Sequence, residues 1–337
     1  MANRFNKFVF EAEEGITFDV SEGTSGELII KALNINAYSK LPTISAGEYA
    51  NVLSVYTDNN GNKAVVPQGW IVSGVPKENI IWGKDKGLVI YHIPKEKVSG
   101  INWQNSDEVE TLMRTYDQFV WTPVGLLTAS GTLDGIHFNE KFGRMSYWYN
   151  KFSESQEPLV GELLFQKKSV DKYDGYYSSR YNISEDEKTG KPRSIKGVEP
   201  WKPFNYLTAK EVASIMVQSK TVTSHLMYGA EYDTREKWVI ESGAVTIEEI
   251  AKDSKKLGNY NCMGSLAKTG EDGCINNIYG FTGNVDEWTQ EHIESFESFE
   301  YAIRGGSYTD VRSAHCRCYF GPDNKYNAGF RATLYIE

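Results

Sequence analysis

The chain has 337 residues, 24 % of them charged and 40 % hydrophobic, with a formal net charge of −9. That length accommodates two domains, or one large and one small, and the composition is that of a globular protein rather than a disordered or fibrous one. The acidic balance, with no basic stripe, excludes a surface built to neutralise nucleic-acid phosphates, and no apolar run reaches the ~18 residues needed to cross a membrane.

The N-terminal region predicts short strands. Phe8–Phe10, Ile16–Val20, Glu27–Leu33 and Ala50–Tyr56 are rich in β-branched and aromatic residues and are separated by Gly, Asn and Ser clusters. Asn59-Asn60-Gly61-Asn62 predicts a hairpin turn between Val52–Tyr56 and Ala64–Val66. The stretch reads as a small β-domain over residues 1–68, with Pro67-Gln68-Gly69-Trp70 as a junction. Met1–Phe10 carries Arg4 and Lys7 but no apolar core, so no secretory signal is expected.

Residues 69–115 predict a β-rich connector with a short helix. Gly87–Ile93 is a nearly continuous apolar run, as in a strand covered on both faces. Ser106 is placed to cap a helix. Asp107, Glu108 and Glu110 favour its first turn, and Val109, Leu112, Met113 and Tyr116 recur at helical spacing. Phe119–Val124 then opens a larger domain, 116–337. Within it, Pro158–Val170 predicts a helix with Pro158 near its first position, and Tyr173–Ile183 predicts a strand. Thr208-x-x-Glu211 is a capping box that starts a helix near Ala209, and Thr246-x-x-Glu249 is a second, leading into Ile250 and Ala251. Glu248-Glu249 reads as a solvated helix surface. His92, His137, His225, His292 and His315 form no metal-ligand spacing, and there is no phosphate loop or nucleophile elbow. Cys262 and Cys274 flank one loop, and the sequence leaves their pairing open.

The C-terminal segment is the most distinctive. Gly283-Asn284-Val285-Asp286-Glu287-Trp288 precedes Arg304-Gly305-Gly306-Ser307-Tyr308, and Gly329-Phe330-Arg331 follows. The glycines permit positive φ or close chain approach. An Arg beside such turns offers five donors to irregular backbone. This order of motifs resembles the C-terminal half of the formylglycine-generating enzyme (sulfatase-modifying factor) family, a C-type-lectin-like fold shared with ligand-binding variable proteins of phages. Phe119–Val124, Tyr173–Ile183 and, loosely, Gly229–Trp238 extend the likeness, so it covers about residues 116–337. It implies an α+β protein: a small N-terminal β-domain followed by a C-type-lectin-like domain.

That fold hosts both an oxidase and non-catalytic binders, so fold alone does not decide function. In the enzymes, two cysteines follow the GGS turn. The corresponding places here hold Asp310 and His315, while Cys316 and Cys318 stand one and three residues out of step. On a strand those two thiols would share a face. Loss of the in-register pair implies a non-enzymatic role. The resemblance implies a bacteriophage virion-surface protein, at the tail tip, on a fibre or decorating the head, made in the host cytoplasm. Its lectin-like face would meet a host-surface protein or glycan, and its N-terminal domain would attach to other virion proteins in many copies. The face would comprise Tyr308, Asp310, Arg312, His315, Arg317, Tyr319 and Phe320, a mixture of aromatic anchors and adaptable polar groups. The high aromatic content, with 21 Tyr, suits either recognition or ordinary packing. The family's calcium loops correspond to Asn259 and Asp272 and, less completely, to Glu287, where Gly280 replaces a ligand side chain. Two alternatives stand beside this reading: a copper-dependent oxidase using Cys316 or Cys318, and a purely structural capsid decoration protein.

Overall fold

The computed structural model describes residues 16–22, 28–34, 37–127, 131–133, 136–138, 142–143, 145–147, 161–202, 205–252, 257–259, 265–294, 299–309, 314–325 and 328–337. Helices and several sheets give a mixed α+β protein in two compact units, Met1–Pro42 and Thr43–Glu337. In the first unit, β1 (Ile16–Glu22) and β2 (Leu28–Asn34) pair antiparallel, with Ile16 opposite Asn34 and Glu22 opposite Leu28. A 3-10 turn follows at Ala37–Lys40. The strand expected at Phe8–Phe10 lies outside the described residues.

The boundary at Pro42 corrects the one expected near residue 68. In the second unit, β3 (Thr43–Ile44), β4 (Ser54–Thr57) and β5 (Lys63–Val66) form a three-stranded sheet. Its hairpin forms where the sequence places it. Gly61 takes φ +83°, and the Asp58 carboxylate accepts hydrogen bonds from the Asn60 and Asn62 amides at 2.9 Å each. Ala64, Val65 and Val66 are fully buried, and the Tyr177 hydroxyl donates to the Val65 carbonyl at 2.9 Å. The hairpin is therefore part of the larger core. Pro67–Trp70 is a turn within that core, and Trp70 is 1 % exposed.

The connector is likewise not separate. β6 (Ile71–Val72), β7 (Val89–His92), α1 (Ser106–Thr115) and β8 (Asp117–Pro123) come next. β6 pairs with β7, and β7 with β8, so residues on both sides of position 115 share one sheet. A buried Glu78–Arg180 ion pair at 2.7 Å ties the connector to the C-terminal half. Helix α1 begins as its pattern predicts, but Asn105 rather than Ser106 caps it, accepting from the Asp107 and Glu108 amides.

The remaining elements are β9 (Gly131–Leu133), β10 (Ile136–Phe138), β11 (Met145–Tyr147), α2 (Gly161–Tyr173), β12 (Gly175–Ser179), β13 (Ser184–Glu185) and β14 (Pro192–Arg193). They are followed by α3 (Tyr206–Ile215), β15 (Val222–Leu226), α4 (Gly229–Glu241), α5 (Ile247–Lys252), β16 (Cys274–Ile275), β17 (Ile278–Tyr279) and β18 (Glu287–Glu294). β19 (Phe299–Arg304), β20 (Arg317–Phe320), β21 (Gly329–Phe330) and β22 (Ala332–Ile336) complete the chain. The largest sheet has the order β15-β22-β12-β8-β7-β6, antiparallel throughout. A four-stranded sheet, β20-β19-β18-β21, has one parallel pair, β18 with β21.

Helix α2 lies against β12 and β22, and α4 lies against β8 and β18. Pro158, expected at the start of α2, is outside the described residues. Helix α3 starts three residues earlier than expected because Asn205 caps it, its side chain accepting from the Thr208 amide at 3.0 Å. The Thr246–Glu249 capping box forms reciprocally, at 2.9 and 3.2 Å. Glu248 is exposed, whereas Glu249 folds back into that cap. Among the described residues, no helix is long and apolar enough to cross a membrane.

Candidate functional site

The three C-terminal motifs converge on one layer. A single rung of the four-stranded sheet sets Arg317 opposite Arg304, Arg304 opposite Glu287, and Glu287 opposite Gly329. Facing partners share a side of a sheet, so these charges project together. Helix α4 answers them with Asp233 and Glu236, three residues apart and hence on one helical face.

The pairing is dense. The Arg304 guanidinium donates to Glu291 at 2.9 Å, to Asp233 at 2.6 Å and to the Cys316 carbonyl at 3.1 Å, and it sits 4.1 Å over the Tyr232 ring. Arg317 donates to Glu291 at 2.8 Å and to Asp233 at 2.5 Å. Asp233, Glu236, Glu291 and Arg304 are at most 1 % exposed, and Arg317 is 4 % exposed. Unpaired charges at such depth would be expelled or neutralised, so each must find an opposite neighbour. Burial works against the Arg304 charge, but Asp233, Glu291 and Glu236 more than offset it and raise its pKa well above the ordinary value.

Glycine makes room for this layer. Gly305 has φ +90°, and a Cβ there would stand 2.9 Å from the Tyr232 hydroxyl oxygen. Arg331 does what an arginine beside irregular backbone is suited to do. It donates to Glu287 at 2.6 Å and to the carbonyls of Ser179, Tyr279 and Gly280 at 3.1, 2.6 and 2.5 Å.

His315 is the pivot of the layer. Its Nδ1 lies 2.8 Å from Glu236 Oε2, and its Nε2 lies 3.2 Å from an Arg317 nitrogen. An arginine can only donate, so Nε2 accepts and Nδ1 donates to Glu236, which makes a neutral imidazole. Burial lowers the His315 pKa against the pull of Glu236, in agreement with that assignment. Asp233, Glu236 and His315 each offer an atom within 4.8 Å of the others, a spacing that suits a metal ion. Two guanidiniums already neutralise this cluster at hydrogen-bond distance, and a divalent cation would have to displace them.

The expected binding face is only partly a surface. His315 is 1 % exposed and Arg317 4 %, so neither is presented to solvent; both are anchors beneath the face. Tyr308, Tyr319 and Phe320 are half-buried and Thr309 is exposed. The Tyr319 hydroxyl reaches inward to Glu291 at 2.7 Å, and Phe320 meets Trp288 edge-on at 6.3 Å. Asp310 and Arg312 lie outside the described residues.

Asn259 and Asp272, the calcium candidates, have separate contacts. The Asn259 amide donates to Asn284 Oδ1 at 2.9 Å and to the Ser265 carbonyl at 3.3 Å, closing loops. Asp272 instead faces Gly280, where a Cβ would come 2.3 Å from its Oδ2 and 2.8 Å from Asn182 Oδ1. Burial pushes the Asp272 carboxyl up to about 6, against the pull of Arg331. Among the described residues its Oδ1 has no hydrogen-bond partner. Glu287, the other calcium candidate, is committed to Arg331, Arg235 and Asn182.

Cys274 is exposed, and Cys262, with which its pairing is an open question, lies outside the described residues. Cys316 and Cys318 do share a side, with their sulfurs 3.8 Å apart. The residues that sequence reasoning missed are Asp233, Glu236 and Glu291. The available signal was the i, i+3 spacing of Asp233 and Glu236 on a helix with too few apolar residues to bury itself. Compared with known proteins, the chain matches no family model, and no curated protein matches it.

Proposed function

We propose that the chain is a non-catalytic binding protein with a C-type-lectin-like C-terminal domain, carried on a bacteriophage particle at the tail tip, on a fibre or on the head. There it recognises a host receptor or glycan, and the N-terminal unit attaches it to other virion proteins in many copies. The observation that carries this reading is His315. It occupies the place of the second thiol in the related oxidases, yet it is a neutral imidazole locked between Glu236 and Arg317. The layer below the face is committed to structure, which leaves Tyr308, Thr309, Tyr319 and Phe320 to meet a ligand. Such a face gains strength from repetition rather than from single-site affinity.

Antibody labelling of phage particles, viewed by electron microscopy, tests the location, and retention of the labelled chain on host cells after washing tests the activity. A Tyr308→Ala, Thr309→Ala double variant is expected to melt like the wild type and to lose retention. Retention unchanged in that variant would contradict the assigned face, and a chain absent from particles would contradict the location.

The separation of Cys316 and Cys318 favours a second reading, a copper-dependent oxidase of the sulfatase-modifying type. Two metal–sulfur bonds of about 2.3 Å at a tetrahedral angle hold sulfurs roughly 3.8 Å apart, which the pair matches. Copper bound there would supply oxygen-dependent oxidation of a peptide cysteine. Conversion of such a peptide on addition of copper, lost in Cys316→Ser, would replace the binding reading with this one.

A further inference from the structure

A cleft of about 810 Å³ opens beside the turn between β13 and β14, well away in sequence from the GGS and GFR motifs. Its walls come from that turn, from the Ile195–Lys202 segment and from Lys268. We propose that this cleft is an oligosaccharide-binding site in which Trp201 is the stacking platform. Nothing in the binding face described above requires it, and it would serve the protein whether or not that face is used.

Three observations support the assignment. The first is that the cleft is built before any ligand arrives. The Trp201 amide donates to the Ile183 carbonyl at 2.7 Å, and its indole lies 6.3 Å from the Phe330 ring. Thr269 clamps the adjoining segment, with its hydroxyl donating to the Ile195 carbonyl at 2.7 Å and its amide donating to the Val198 carbonyl at 2.8 Å. On the opposite wall, Asp186 accepts from the Lys188 and Thr189 amides at 3.0 and 2.9 Å, and Arg193 bridges Asp186 to Asp117 at 3.4 and 3.1 Å. Walls fixed in this way lose little conformational freedom on binding.

The second observation is the chemistry of the rim. Glu185, Glu187, Lys188 and Lys268 are exposed around the cleft. Carboxylates accept and ammonium groups donate, so the pair of types satisfies hydroxyls in either sense. The negative face of an indole attracts the C–H face of a sugar ring. The third observation is the charge balance. Four carboxylates and three ammonium groups line the space. A phosphate-rich ligand would meet net repulsion, whereas a neutral polyhydroxylated one meets none. The volume lies within the range of about 300–1,000 Å³ typical of small-molecule sites, enough for more than one sugar ring.

The full chain, applied to an array of defined bacterial oligosaccharides, tests the proposal. The wild type is expected to retain at least one neutral oligosaccharide. Trp201→Ala should weaken that binding roughly tenfold or more, and Trp201→Phe should weaken it only a few-fold. Because Trp201 also packs near Phe330, a Glu187→Ala, Lys188→Ala double variant at the exposed rim provides a second test, with thermal melting confirming the fold. It should lose affinity several-fold, while Asp171→Ala, at an exposed ion pair on helix α2, leaves this binding unchanged. Retention of no oligosaccharide, undiminished binding in the rim variant and Trp201→Phe together, or displacement of the sugar by inorganic phosphate would overturn the proposal. Loss in the Tyr308→Ala, Thr309→Ala double variant with binding kept in Trp201→Ala would sink the cleft and leave the binding face standing.

Discussion

Helices α1 and α4 are similar in length and opposite in logic. In α1, Val109, Leu112 and Met113 are buried while Asp107 and Thr111 face solvent, so one apolar stripe holds the helix to the core. In α4, every residue from Gly229 to Val239 is buried, including Glu231, Asp233, Arg235, Glu236 and Lys237. The first helix is held by exclusion of water, which is tolerant of detail. The second is held by specific charge pairs, which are not. A core of the second kind is set by geometry, and removal of one partner strands the other in a low-dielectric interior.

The largest effect is therefore expected in α4. Asp233→Ala leaves Arg304 and Arg317 with one of their two shared carboxylates, Glu291, and urea denaturation should show a loss of about 3–5 kcal/mol. A loss below about 1 kcal/mol would erase the contrast between the helices.

Asp272, half-buried and within the electrostatic reach of Arg331, gives the next effect. Its carboxyl is raised to about 6 in the fold, so the folded state binds a proton that the unfolded state has released. The stabilising contribution is complete below about pH 4 and is lost as pH rises through about 6. Asp272→Asn keeps the neutral form at all pH, and its stability relative to wild type should grow between pH 4 and 8, by up to about 2–3 kcal/mol. His315 titrates in the opposite sense. Its folded pKa is lowered, so its contribution is present above about 6.5 and is lost as pH falls below that value. Melting curves of His315→Gln should fall less steeply than wild type below pH 6.5, and an unchanged slope would place a charged imidazole in the core.

Helix α1 supplies the small effects. Asn105→Ala removes the side chain that caps two amides and should cost about 1 kcal/mol by urea denaturation. Arg114→Ala breaks an exposed i, i+4 pair with Glu110 and should change stability by less than about 0.5 kcal/mol. An Arg114 effect comparable with that of Asp233 would show that burial is not what separates the two helices.

The same contrast explains what was legible. Helix α1, the Asn59–Asn62 hairpin and the Thr246 capping box are local devices, read from residues within a few positions of one another. The caps lie one and three residues before Ser106 and Thr208 because Asn105 and Asn205 compete with the Ser and Thr that follow them. A boundary near residue 68 is suggested by Pro67–Trp70, which carries the residues of a turn, but composition does not say that Trp70 will be buried. Arg304 and Arg331 stood out beside their glycines, but the partners of Arg304 on α4 are some 70 positions away, as in the Asp233 pair. His315 stands two residues before β20 and Arg317 opens that strand, and only the arrival of α4 beneath them buries these two polar side chains while the rest of the strand stays half-buried.

The double-mutant cycle of Asp233 and Arg304 measures that arrival directly. If the C-terminal scaffold is held by its buried guanidinium–carboxylate layer, the coupling free energy between the two should exceed about 1.5 kcal/mol, with the double variant less damaged than the sum of the singles. Additive losses, with coupling below about 0.5 kcal/mol, would mean that α4 is held by something other than its charges.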